Sequence, residues 1–140
     1  MLASGSRGNA IYISDGNSRI LIDAGLSGVA IERRMQSRGL DPKQIDGIVV
    51  SHEHTDHIQA VGVLSRRFGL PVYISEDTFT AAREQLGRLA AVRNFSCGTP
   101  VQIGELELHP FSISHDASDP AGFTVTAIGA RVGVAADLGI

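Results

Sequence analysis

The sequence predicts an α/β chain built on a mixed sheet, and three observations carry that reading. Short β-rich runs alternate with helical segments through the first two thirds of the chain, and strands then follow one another directly after Thr99. Hydrophobic residues make up 43% and charged residues 19%, enough apolar material to bury a core in 140 residues. Aromatics reach only 5%, with no Trp, so Ile, Val, Leu and Ala must build that core. These figures exclude a coiled coil, a fibrous repeat and a disordered tail. The length fits one domain and leaves no room for two.

Taken in order, residues 9–14 and 18–23 are short β-rich runs. Asp15-Gly16-Asn17 between them is turn chemistry, so they read as a hairpin. Ala24-Gly25 stops the second run. Ser27 can cap a helix running to about Arg38, with Ala30, Ile31 and Met35 near one face and Gly39 as its stop. Residues 47–51 are too uniformly apolar for a half-exposed strand and predict one covered on both faces. A second helix is expected over residues 58–68, ended by Gly69-Leu70-Pro71. Residues 71–74 read as a further buried strand and 75–91 as a third helix. Beyond Thr99, strands are expected at residues 101–103, 105–114, 123–128 and 131–136. Leu106, Leu108 and, past a break at Pro110, Phe111 and Ile113 alternate as a strand with two unlike faces does. No repeat, linker or low-complexity segment interrupts the series.

Charge and cysteine content narrow the function classes. The net charge of −3 advertises no broad basic face for nucleic acid. The single cysteine, Cys97, excludes an internal disulfide and a multi-thiolate zinc site. No apolar run approaches the ~18 residues of a membrane-spanning helix, and the apolar part of the N-terminus is too short for a signal peptide. A reduced, cytoplasmic setting without membrane association is the expectation.

The decisive stretch is Ser51-His52-Glu53-His54-Thr55-Asp56-His57, directly after a buried strand. His52 and His54 stand two residues apart, so in extended backbone their imidazoles project to one side and can reach one metal ion. Asp56 and His57 come where the chain turns into the next helix and can face a neighbouring position. The spacing suits two adjacent divalent ions better than one. Imidazole and carboxylate ligands without thiolate suit Zn²⁺, Mn²⁺ or Fe²⁺. Two such ions ~3.5–4 Å apart bridge a water and lower its pKa, making hydroxide at neutral pH. Asp56, if it faces that position, is the carboxylate best placed to act catalytically by orienting that water or accepting its proton.

With Leu21-Ile22-Asp23-Ala24-Gly25 upstream, the His-x-His-x-Asp-His signature resembles that of the metallo-β-lactamase-fold hydrolases, and most closely the YycJ/WalJ-type bacterial branch. Residues 2–10 resemble that branch's opening. Ser114-His115-Asp116-Ala117, followed by Asp119-Pro120-Ala121-Gly122, resembles its third metal motif, and Ala136-Asp137-Leu138-Gly139 its fourth. The resemblance implies an αββα sandwich, of which residues 1–140 would form about the first half. That single domain would be incomplete at its C-terminal end, and its abrupt start invites the same reading at the N-terminus.

The resemblance further implies that His52, His54 and His115 hold the first metal, that Asp56 and His57 contribute to the second, and that Asp137 bridges the two. Asp23 would sit behind the site and hydrogen-bond the histidine loop, support such ligands commonly need. Family members carry a further histidine beyond the position where this chain stops. His109 matches no family motif. The implied function is a metal-dependent hydrolase using dinuclear-metal-bound hydroxide, most readily a phosphodiesterase or nuclease with DNA among its phosphodiester substrates. The same fold also carries ester, thioester and lactam hydrolases, and a catalytically incomplete metal-binding fragment is the other alternative. The arginines at 33, 34, 38, 66, 67, 83, 88 and 93 are expected to form solvated helix faces more than phosphate contacts.

Overall fold

A computed structural model describes the backbone of residues 9–112, 121–127 and 130–134, and their side chains except those of residues 55, 56 and 130–134. Strands β1 (Ile11–Ser14) and β2 (Arg19–Ile22) form the expected antiparallel hairpin. Its turn is tied by the Asp15 carboxylate, which accepts from the backbone N–H of Asn17 at 2.9 Å and of Ser18 at 2.7 Å. Helix α1 (Gly28–Gln36) starts where Ser27 Oγ accepts from the N–H of Ala30. Strand β3 (Gly47–Val49), the short α2 (Thr55–Ile58), α3 (Val61–Phe68), β4 (Pro71–Ser75), α4 (Glu76–Leu86) and β5 (Ala91–Phe95) follow. These strands make one five-stranded sheet in sequence order, parallel from β2 onward. Strands β6 (Val101–Ile103), β7 (Leu106–Ser112), β8 (Ala121–Ala127) and β9 (Ala130–Val134) make a second, antiparallel sheet, also in sequence order.

Strand alternation sorts the apolar side chains into two layers. Leu21, Ile48, Val50, Val72 and Ile74 lie on one face of the first sheet, packed with Ile31 and Met35 of α1, Val61 and Leu64 of α3, and Ala82 and Leu86 of α4. Ile20, Ile22 and Val49 lie on the other face, packed with Phe95 and with Ile103, Leu106, Leu108, Phe123 and Val125 of the second sheet. The order is therefore helices, sheet, sheet. Burying each large aliphatic contributes about 1.5–3 kcal/mol, so the central strands are held from both sides. This is why residues 47–51 read as continuously apolar.

Three sequence expectations need correction. The third helix does not reach residue 91: it ends at Leu86, where Gly87 takes φ +68° and Arg66 Nη1 donates to the carbonyls of Leu86 and Arg88 at 2.9 and 2.7 Å. Residues 91–95 instead pair with β4 as the edge strand β5, and Arg93 and Asn94 on that edge disguised it. The second helix is split around Ala60, because the N–H of Ala60 donates to Ala24 O at 2.7 Å and the N–H of Ala24 to His57 O at 2.8 Å. Pro110 does not break β7. Strand β6 pairs only with Leu106–Leu108, so Pro110's missing N–H deprives no neighbouring strand, while its carbonyl accepts from Gly98. Residues 113, 114, 128, 135 and 136, expected at strand ends, lie outside the described residues.

Two consequences can be measured. A Cβ at Gly62 of α3 would run into the Leu86 carbonyl where α3 meets the end of α4. Gly62→Ala should therefore cost about 1–3 kcal/mol, lowering the urea midpoint at unchanged slope; an unaltered midpoint would refute the close approach. The N–H groups of Ser18, first, and Asn17 hold the Asp15 carboxyl below its ordinary range. Its contribution to stability is thus full above the ordinary carboxylate pKa and fades as pH falls through the lowered one. The stability difference between wild type and Asp15→Ala should shrink on that acid side and not on the alkaline side.

Candidate metal centre

The site grows from the ends of two adjacent parallel strands. Ile22 and Val49 stand in register at the ends of β2 and β3, and the next residues of each strand leave the sheet side by side. In parallel sheets this carboxyl end is where ligands are received. Asp23 donates its N–H to Val49 O at 2.7 Å and then turns back with φ +63°. Among the described residues it is the one non-glycine with positive φ, a conformation costing about 1–3 kcal/mol. That turn aims its buried carboxylate at the neighbouring strand. Oδ1 accepts from the N–H of Ser51 at 2.7 Å, and Oδ2 accepts from Ser51 Oγ at 2.6 Å and from His57 Nδ1 at 2.7 Å.

Further bonds clamp the histidine loop. The N–H of Ala24 reaches His57 O, the N–H of His57 reaches His54 O at 2.9 Å, and from the second sheet the N–H of Ala121 reaches Ser51 O at 2.9 Å. His52 and His57 are fully buried and His54 is half-buried. The ring centroids of His52 and His57 are 3.8 Å apart and those of His52 and His54 4.8 Å, so the three imidazoles form one group.

A carboxylate can only accept, so His57 carries a proton on Nδ1, and an amide nitrogen can only donate, so Nε2 accepts from Asn9. Asn9 Nδ2 lies 3.1 Å from that Nε2. An ion at Nε2 would take the lone pair that the Asn9 amide engages, while Asp23 anchors the other ring nitrogen. Imidazole nitrogens beside a carboxylate are donors of the kind a divalent ion accepts.

The structure brings His52, His54, His57 and Asp23 together. The backbone of Asp56 lies in α2, but its side chain is outside the described residues, as are His115 and Asp137 altogether. Among the described residues, no three His, Cys, Asp or Glu side chains form a ready ligand set. His109 sits on the exposed face of β7, its Nε2 2.6 Å from Glu107 Oε1, on the side of the second sheet turned away from the first. Arg66 binds backbone carbonyls and Arg67 pairs with Glu32 at 2.7 Å. Sequence reasoning gave no role to Ser51 or Asn9, although each stands within a stretch that carried the family resemblance. A small polar residue ending a buried strand, as Ser51 does, was the available signal.

The sequence profile of the metallo-beta-lactamase superfamily matches residues 3–139. The chain belongs to that superfamily. It is 41% identical over 122 residues to the exodeoxyribonuclease YycJ of Bacillus anthracis. It is 37% identical over 124 residues to the exodeoxyribonuclease WalJ of Streptococcus pneumoniae serotype 2. Each of these comparisons covers 86% of this chain and 46% of the relative, so the chain spans somewhat less than half the length of these curated relatives. Among solved structures, Rm3 metallo-beta-lactamase superposes with a TM-score of 0.77 at 18% identity, over 92% of this chain and 55% of that one. The metallo-β-lactamase-like α/β fold expected from the histidine motif is thus the fold found, with the helical layer and both sheets in place.

The carboxylate at the centre of this hydrogen-bond network can be tested by substitution. Asp23→Ala would leave three buried donors without their acceptor and should cost about 2–5 kcal/mol in urea unfolding. Asp23→Asn tolerates the same backbone conformation and keeps one acceptor, so its loss should be clearly smaller. Equal stability of wild type and Asp23→Ala would contradict the network.

Proposed function

We propose that this chain supplies metal ligands to a metal-dependent phosphodiesterase, of the exodeoxyribonuclease kind for which YycJ and WalJ are named. The observation that supports it most is the gathering of His52, His54 and His57 at the carboxyl ends of β2 and β3, with His57 Nε2 presented by Asp23. In this reading His52, His54 and His115 would hold one ion, Asp56 and His57 would contribute to a second, and Asp137 would serve both. Zn²⁺, Mn²⁺ and Fe²⁺ suit these donors.

Bound ions would supply an activated water and offset the charge that develops on the phosphodiester oxygens. The residues of the chain do the rest. The buried rings of His52 and His57 close the site from behind against bulk water. Asp23 keeps His57 in its binding tautomer. Asp56 would orient a water there or take its proton. With a net charge of −3, affinity for DNA would come from the centre itself and a few local cations, and would be salt-sensitive. No helix among the described residues is long and apolar enough to cross a membrane.

A second reading, a metal-binding piece without activity of its own, is favoured by the 46% coverage of the relatives. Elemental analysis and cleavage of end-labelled linear DNA separate the two. About two ions per chain with divalent-dependent release of nucleotides supports the hydrolase; one ion and no cleavage supports the piece. Asp56→Asn should lower the cleavage rate by about 10²–10⁴-fold. His54→Ala should lose metal under both readings, and full metal retention would overturn the ligand assignment.

A further inference from the structure

We infer that Ser51 is a positioning residue whose hydroxyl extends the reach of Asp23 to His52, so that one carboxylate sets the tautomers of two imidazoles. The inference rests on the metal-site reading above, and the atoms that carry it are all buried. Ser51 Oγ lies 2.6 Å from Asp23 Oδ2, 3.0 Å from His52 Nδ1 and 3.3 Å from His57 Nδ1. A serine hydroxyl has one proton and two acceptor lone pairs. Its shortest contact is to a carboxylate oxygen, which can only accept, so the proton goes there. What remains toward His52 is a lone pair, and the 3.0 Å contact is a hydrogen bond only if His52 Nδ1 carries the proton.

His52 is thereby left with its lone pair on Nε2, the same arrangement that Asp23 imposes directly on His57. Two neighbouring rings, 3.8 Å apart at their centroids, are set alike by one acid and one hydroxyl. The Ser51 backbone takes part as well. Its N–H is held by Asp23 Oδ1 and its carbonyl by Ala121 of the second sheet, so the hydroxyl has little freedom to swing away. A residue that packs for shape alone would not need this proton order.

The test is long-range ¹H–¹⁵N correlation of the histidine rings in the metal-free 140-residue chain, paired with chelator-competition titration of Zn²⁺. His52 and His57 should both be Nδ1-protonated in the wild type. In Ser51→Ala, His52 should lose that preference while His57 keeps it, and Zn²⁺ affinity should fall about 10–100-fold. Ser51→Thr, which keeps the hydroxyl, should restore both. An Nε2-protonated His52 in the wild type overturns the relay, as does a Ser51→Ala chain with His52 and affinity unchanged. If Ser51→Ala does not fold, the wild-type tautomer and the threonine variant decide. Expected tautomers in a wild type that takes up no Zn²⁺ would uphold the relay and overturn the metal reading. Zn²⁺ uptake with a wrong tautomer would do the reverse.

Discussion

The rest of the site depends on one buried carboxylate joining the ends of two adjacent strands. Asp23 takes an unfavourable backbone conformation, at about 1–3 kcal/mol, and receives three hydrogen bonds in return. Hydrogen bonds to a charged group are worth about 1.5–3 kcal/mol each, so the exchange favours the turned conformation. The positive φ is what lets one residue serve the backbone of β3's extension and a ring from α2 together.

That carboxylate could not act alone in an open loop. Its surroundings are dry because α1, α3 and α4 cover one face of the first sheet and the second sheet covers the other. Dry surroundings strengthen every bond in the network and penalise any polar atom left out. The loop's backbone groups are accordingly bound to elements far along the chain: Ala24 to His57 and Ala60, Gly25 to Asn9, Ser51 to Ala121. The last of these links the second sheet to the histidine loop, so the two sheets are fastened at the site as well as through their side chains.

The parts legible in the sequence were those with local causes. Asp15-Gly16-Asn17 marked the hairpin, Ser27 and Gly39 bracketed α1, and the apolar run 47–51 announced a strand covered on both faces. The histidine cluster was legible for the same reason, since its pattern lies within six residues. The parts that escaped have distant causes. The split at Ala60 comes from a bond to Ala24, and Ser51 and Asn9 act on partners 28 and 48 positions away. Strand β5 escaped because it is an edge strand with polar Arg93 and Asn94, and one glycine at 87 inside a helical pattern is not a decisive stop. Asp23 was reached only through the family resemblance, because nothing in residues 21–25 says what its carboxylate touches.

Sharing one carboxylate makes the site's energetics collective. Asp23, Ser51, His52 and His57 are linked in a single chain of contacts, so their substitutions should not add, and removing the acid should already include much of the effect of removing the hydroxyl. The same coupling joins ligand binding to folding. An ion held only by the native arrangement of these rings stabilises that arrangement by RT ln(1 + [L]/Kd), about 2.7 kcal/mol at a hundredfold excess over Kd. This is comparable with the strain held at Asp23. The turned aspartate is thus a conformation held by the chain's own hydrogen bonds, and a bound ion would reinforce it, because the bonds that orient the imidazoles are the bonds that keep the strand ends in place.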